Sequence, residues 1–379
     1  MRVGFTHRQH PSQPKRCRLC EKETVFLSNT LPLCLECLRS GKEGIKEIIL
    51  ETHHRAREPF QLVDQPPKEA SGKSCQICIN ECQIPEEGSG YCGLRSNKRG
   101  SLQGVSTEEG KLSWYYDPLP TNCVADWVCP GGTGAGYPEF SNSEGPEYGF
   151  KNLAVFYHGC SFDCLFCQNW SHKDRIRDQR NISPEALVQA IDERTSCICY
   201  FGGDPTPQLP HSLKVSRMAL EKARGRILRV CWETNGSMHR ALLEEMIELS
   251  LHSGGCIKFD IKAWNESLHR ALCGVSNRRT KENFELASRW FEKRPLPPLL
   301  VASTLLIPGY IDEEEVRRIA RWISSLHPDI PYALLAFAPQ FLFKDLPTTP
   351  RKLAFRCKEV AEAEGLRNVR IGNIHLLMG

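Results

Sequence analysis

The feature that most constrains this chain is a run of three closely spaced cysteines. Cys160, Cys164 and Cys167 form a Cys-x3-Cys-x2-Cys pattern within His158 to Asn169, with no fourth cysteine on the same stretch. Three thiolates on one short loop can hold a [4Fe–4S] cluster while leaving one iron open to an outside ligand, as catalytic metal sites keep an open position. The competing reading is a structural zinc site completed by His158 or His172. The chain has 19 cysteines in 379 residues, an odd count with tight spacings. That fits metal ligation in a reducing compartment better than a disulfide framework.

The flanking sequence sets the place of this run in a fold. Apolar runs at Leu153–Tyr157, Cys197–Phe201, Ile227–Trp232, Cys256–Ile261, Leu299–Leu306, Tyr332–Phe337 and Val369–Ile371 read as strands. Helix-like stretches separate most of them: Pro184–Arg194, with Ser183 as N-cap and Pro184 at the first position, Met238–Leu251 and Glu313–Leu326. The alternation predicts an α/β fold with a parallel sheet, a partial (β/α)6-type TIM barrel over residues 151–379. The three cysteines follow the first strand, at the end where parallel sheets place active sites. Residues 1–60 read as a zinc-ribbon-like module ending in a charged helical stretch, Glu43 to Arg57. Residues 61–150 read as a second four-cysteine module and a Gly-rich linker, with Pro130 to Gly149 a long loop.

Further motifs follow in order. Tyr200-Phe201-Gly202-Gly203-Asp204-Pro205-Thr206, Glu233-Thr234-Asn235-Gly236 and Lys258-Phe259-Asp260-Ile261-Lys262 each end a predicted strand, and Leu306-Ile307-Pro308-Gly309 makes a later turn. Together with the cysteine run, this set resembles the radical S-adenosylmethionine (SAM) superfamily, in the branch around pyruvate formate-lyase activating enzymes. The resemblance implies a [4Fe–4S] cluster on Cys160, Cys164 and Cys167 with SAM on its open iron. It implies SAM contacts from Phe166 (adenine), Gly202, Gly203 and Asp204 (methionine end), Asn235 and Lys262. It also implies a monovalent cation held by Glu233, Thr234 and Asp260. Asp204 stands where the family has Glu, and Glu233 where it has Asp. Ser303 and Thr304, on a predicted strand, are candidates for the ribose. Asn373 and His375 are candidates to face substrate, with a satisfied core histidine the alternative for His375.

Two more cysteine groups precede the core. Cys17-x2-Cys20 and Cys34-x2-Cys37 have zinc-ribbon spacing, with a rubredoxin-like iron site as the alternative. Cys75, Cys78, Cys82 and Cys92 are spaced x2, x3, x9, and the group resembles the prelude of AmmeMemoRadiSam-type enzymes; zinc and an auxiliary [4Fe–4S] cluster both fit. Asn122 to Pro130, with Cys123, Trp127 and Cys129, departs from the family's usual segment, and its cysteines read equally as substrate contacts, an extra ligand or structure. Cys197, Cys199, Cys231, Cys256 and Cys273 read as core packing, since free cysteine is among the most buried residue types.

The resemblance implies reductive cleavage of SAM to a 5′-deoxyadenosyl radical that abstracts hydrogen from a protein or peptide, with a flavodoxin- or ferredoxin-like electron donor. A glycyl-radical enzyme activase is one specific form. The rival is a zinc-ribbon nucleic-acid-binding protein, drawing on Lys98-Arg99 and Asn277-Arg278-Arg279, and the hybrid is an RNA-modifying radical SAM enzyme. A net charge of +4 does not call for nucleic acid, and no aromatic–basic interleaving of the base-stacking kind is present. Met1 to Arg16 carries no apolar run and no stretch has membrane-spanning length, so the expected location is the cytoplasm.

Overall fold

The computed structural model describes residues 13–121 and 123–378. Residues 1–12, which make up most of the Met1 to Arg16 stretch read above, lie outside the described residues, as do Asn122 and Gly379. Eight strands form the central sheet: β1 (Leu112–Pro118), β2 (Lys151–Tyr157), β3 (Thr195–Gly202), β4 (Arg229–Thr234), β5 (Ile257–Asp260), β6 (Leu300–Leu306), β7 (Tyr332–Ala336) and β8 (Val369–Gly372). They lie side by side in chain order. β1 runs antiparallel to β2, and every later pair is parallel. Among the described residues β1 and β8 do not pair, so the sheet stays open.

All seven predicted strands are present, within about two residues at each end. β1 was not anticipated: its pattern of half-buried and exposed residues lacks the apolar run that marks a doubly covered strand. Helix Pro184–Gln189 begins where the sequence placed it, with Ser183 Oγ accepting from the Ala186 N–H, but ends earlier than Arg194. Helix Arg240–Ser253 starts two residues late because His239 caps it. Helix Glu313–Leu326 matches its expected bounds and is capped by Asp312, with three acidic residues in its first turn. The Gly-rich stretch contains one short helix, Pro130–Thr133. It is pinned to β4 by a buried bidentate pair, Glu147 with Arg229. No helix among the described residues is long and apolar enough to cross a membrane.

The N-terminal residues pack onto the barrel rather than away from it. Leu31, Leu33 and Leu38 are buried in the same hydrophobic cluster as Tyr310 and Phe343, each contributing about 1.5–3 kcal/mol through burial. The Arg39 guanidinium donates to both oxygens of Asp312, at 2.8 and 2.6 Å, and to the buried Glu315. Helix Ile45–Arg57, predicted from Glu43, reaches the loop that follows β2.

Candidate active site

Parallel strands end on the same side of a sheet, so residues far apart in sequence converge there. Cys160, Cys164 and Cys167 lie on the loop after β2, Gly202–Asp204 at the end of β3, Glu233–Asn235 at the end of β4, Lys258–Lys262 on and after β5, and Ser303 on β6 level with Asp260. One cavity of about 180 Å³ is lined by all three cysteines, Phe166, both glycines, Asp204, Glu233, Asn235, Asp260, Lys262 and Ser303. The three thiols are only half-buried, while much of the surrounding wall is fully buried. Among the described residues neither His158 nor His172 forms with the three thiols a group whose ligand atoms all lie within 4.8 Å; both His158 nitrogens and His172 Nδ1 are buried without a hydrogen-bond partner. Burial holds these rings neutral, at about 4 and about 3.

The loop is held from behind. Asp163, between the first two cysteines, is fully buried and accepts from His53 Nδ1 at 2.8 Å. It also pairs with Lys173 and, at 3.5 Å, with Arg57. Burial would raise its carboxyl, but these cations hold it far below the carboxylate range. The N–H groups of Asp163 and Leu165 donate to Cys273 and Leu272 at the end of helix Glu266–Cys273. Cys273 itself, expected only as packing, stands against Cys164 and is the first cause of that thiol's upward shift. It does not line the cavity.

Both glycines are required by the chain's own close packing. Gly202 has φ +114, and a Cβ there would lie 2.6 Å from the Tyr157 nitrogen; one on Gly203 would lie 2.2 Å from the Gly159 oxygen. Asp204 lines the cavity, but its carboxylate also braces the next turn. It accepts from Thr206 N at 2.8 Å, Asn235 N at 2.7 Å and Thr234 Oγ1 at 3.2 Å. Thr234 thus turns its hydroxyl away from Glu233 and Asp260. Between those two carboxylates sits a cation from the chain itself: Lys258 Nζ lies 3.2 Å from Glu233 and 2.6 Å from Asp260. Lys262 contacts the other Asp260 oxygen at 2.8 Å. Although burial opposes it, the two ammoniums hold Asp260 strongly ionised. The sequence reading missed Lys258, whose position two residues before Asp260 places it on the same strand face.

Asn235 Nδ2 donates to Ser161 Oγ at 2.8 Å and reaches the Cys160 sulfur at 3.7 Å. Ser303 Oγ donates to Asp260 at 2.7 Å, whereas Thr304 points away and donates to Ile261 O. Asn373 and His375 do not line the cavity, and His375 is exposed, neither facing a substrate chamber nor satisfied in the core.

The other cysteine groups are also assembled. Cys17 and Cys37 sulfurs lie 3.8 Å apart, and Cys20 and Cys34 sulfurs 3.5 Å apart, on a hairpin knuckle and a helix N-terminus. Sulfurs around one tetrahedral zinc, with bonds of about 2.3 Å, lie about 3.8 Å apart. Among the described residues, this is the one group of three or more such ligand atoms all within 4.8 Å. Cys75, Cys78, Cys82 and Cys92 are spread wider and sit behind the Cys160 loop. There Asn80 donates to Ser161 O at 2.8 Å and Leu94 packs on Gly159. Cys197, Cys199 and Cys256 are buried, as core packing requires, and with the half-buried Cys231, Cys123 and Cys129 they also line a second cavity of about 250 Å³. It shares Val124, Asn169, Glu233 and Lys258 with the first. The barrel interior is not filled to its centre, which periodicity cannot reveal.

Residues 154–323 match the sequence profile described as the Radical SAM superfamily. The chain is 26% identical over 310 residues to an uncharacterized protein of Methanocaldococcus jannaschii, covering 79% of this chain and 81% of that one. It is 31% identical over 137 residues to an isethionate sulfite-lyase activating enzyme of Desulfovibrio desulfuricans, covering 36% of this chain and 40% of that one. With the pyruvate formate-lyase 1-activating enzyme of Escherichia coli it shares 25% identity over 135 residues, 34% of this chain and 52% of that one. The chain thus spans about half or less of the two named activating enzymes it matches.

Proposed function

We propose that this chain, which carries a radical SAM domain over residues 154–323, generates a 5′-deoxyadenosyl radical from SAM and uses it to take hydrogen from a protein or peptide. The observation that carries the reading is the cavity at the strand ends, where Cys160, Cys164 and Cys167 meet Gly202, Gly203, Asn235 and the Lys258–Asp260–Lys262 group. A [4Fe–4S] cluster on the three thiols supplies, when bound, an open iron for SAM and the electron that breaks its S–C5′ bond.

The chain's own residues position and shield. Gly202 and Gly203 leave room for backbone approach to the methionine end. Asn235 donates toward the Cys160 sulfur, which favours the thiolate and fixes its direction. Lys262 and Lys258, kept charged by Asp260, offer cations for the SAM carboxylate. Lys258 stands where the resemblance implied a monovalent cation. Phe166 is buried and gives the adenine an apolar face. With SAM bound, hydrogen abstraction from a substrate C–H bond would leave 5′-deoxyadenosine and a substrate radical.

The tight Cys17 group is assigned to structural zinc. The wider Cys75 group, packed behind the Cys160 loop, is assigned to an auxiliary iron–sulfur cluster on the path from a flavodoxin- or ferredoxin-like donor. The protein substrate rests on the relatives named as activating enzymes of other proteins. The test is anaerobic reconstitution with iron and sulfide, then SAM and dithionite, with 5′-deoxyadenosine measured. The wild type forms it and the Cys160→Ala, Cys164→Ala, Cys167→Ala variant does not; equal yields from both would overturn the reading.

A further inference from the structure

The second cavity has a composition the radical chemistry does not require. Six of its 22 lining residues are cysteines, in a chain with 19 among 379 residues. By chance about one would be there. Their placement follows from strand register. Cys199 and Cys231 are direct partners across β3 and β4, and Cys197 lies two residues earlier on the same face of β3. Trp232 pairs with Ile257, so Cys256 continues the row onto the start of β5. Cys129 and Cys123 come from the segment between β1 and β2 and close the opposite wall.

Packing is the ordinary reading of buried cysteine, and it explains this set poorly. A cysteine that serves packing fills space, and a leucine or valine in its place would fill more. Here the small thiols border an open chamber. They also cluster around one member: Cys231 lies close enough to Cys129, Cys197 and Cys256 to disfavour the ionisation of each. Metal binding would ionise these thiols and release their protons.

Among the described residues only the Cys17 group has three or more ligand atoms all within 4.8 Å, the separation suited to one ion. The lumen thiols form no such single-ion group, whereas in a sulfide-bridged cluster each thiolate is bound to a different metal.

We infer that Cys129, Cys197, Cys231 and Cys256 hold an iron–sulfur cluster inside the barrel, separate from the cluster on the Cys160 loop and forming one wall of the substrate chamber. Cys199 and Cys123 flank it, the latter donating to Glu233 at 3.2 Å. Because the two cavities share Glu233 and Lys258, a substrate entering from the SAM side would meet this centre.

The experiment is an anomalous difference map at the iron edge, from crystals of the anaerobically reconstituted full chain. Iron density among Cys129, Cys231 and Cys256 is expected, whether or not the Cys160 site is filled, so the test stands or falls apart from SAM cleavage. An empty lumen, or zinc in place of iron, overturns the inference. In solution, Cys231→Ser with Cys256→Ser should lower bound iron by about two to four atoms per chain while the Cys160-loop density stays. Unchanged iron in a folded double variant would also overturn it.

Discussion

The Cys17 group and the Cys160 loop use the same side chain for opposite ends. In the first, two knuckles bring four sulfurs into pairs 3.8 and 3.5 Å apart, all four within 4.8 Å of one another and so within reach of one ion. In the second, three thiols sit on a loop whose open side is a cavity lined by glycines, lysines and carboxylates. The first is wedged between hairpin and helix and braces the N-terminal residues against Asp312 and Glu315. The second is braced from behind by the Asp163 network. What separates structure from chemistry here is the number of ligands and what faces the missing one, not the residue type.

The sharpest way to break this contrast is to remove one thiol from each. Cys164→Ala should reduce 5′-deoxyadenosine formation to background and leave about one zinc per chain; Cys37→Ala should lose the zinc and retain measurable SAM cleavage. Elemental analysis beside the SAM assay checks both, and the converse pattern would invert the assignment.

A smaller effect tests the brace. Asp163→Asn leaves Lys173, Arg57 and His53 around an uncharged amide, a change expected to cost about 3–5 kcal/mol. Chemical denaturation should report that loss, and iron on the Cys160 loop should fall while zinc holds. If zinc falls equally, the two regions are one cooperative unit and the contrast is weaker than drawn.

The smallest concerns Glu147, remote from both regions. Burial would raise its carboxyl, but the Arg229 pair holds it at about 2 against an ordinary 4.5. The unfolded chain therefore binds more protons between those values. The pair's stabilisation is complete above about pH 4.5 and is lost as pH falls through about 2. Glu147→Gln should lower the melting temperature at neutral pH and remove that acid slope, with zinc and loop iron unchanged.

Much of this was legible in the sequence. Strand runs such as Cys197–Phe201, motif order and cysteine spacing depend on local pattern, and the structure gathers Cys160, Gly202, Glu233, Asp260 and Lys262 as the strand ends require. What was illegible depends on which face a residue presents and on distant partners. Cys199, Cys231 and Cys256 look like core residues because a lumen-facing thiol and a packed one share the same strand position. Asp163 looks like a loop residue until His53, 110 positions earlier, is laid against it. Lys258 looks like one more solvated lysine until β4 and β5 pair. Thr304 is another such case: it accepts from the Tyr332 hydroxyl and donates to Ile261 O, partners that no local pattern shows.

The most direct measurement is low-temperature electron paramagnetic resonance of the dithionite-reduced, reconstituted chain, with and without SAM. One reduced cluster signal should change on adding SAM, and that SAM-sensitive component should vanish in Cys164→Ala. A spectrum indifferent to SAM, or a SAM-sensitive signal that survives the substitution, would contradict the assignment of an open cluster to the Cys160 loop.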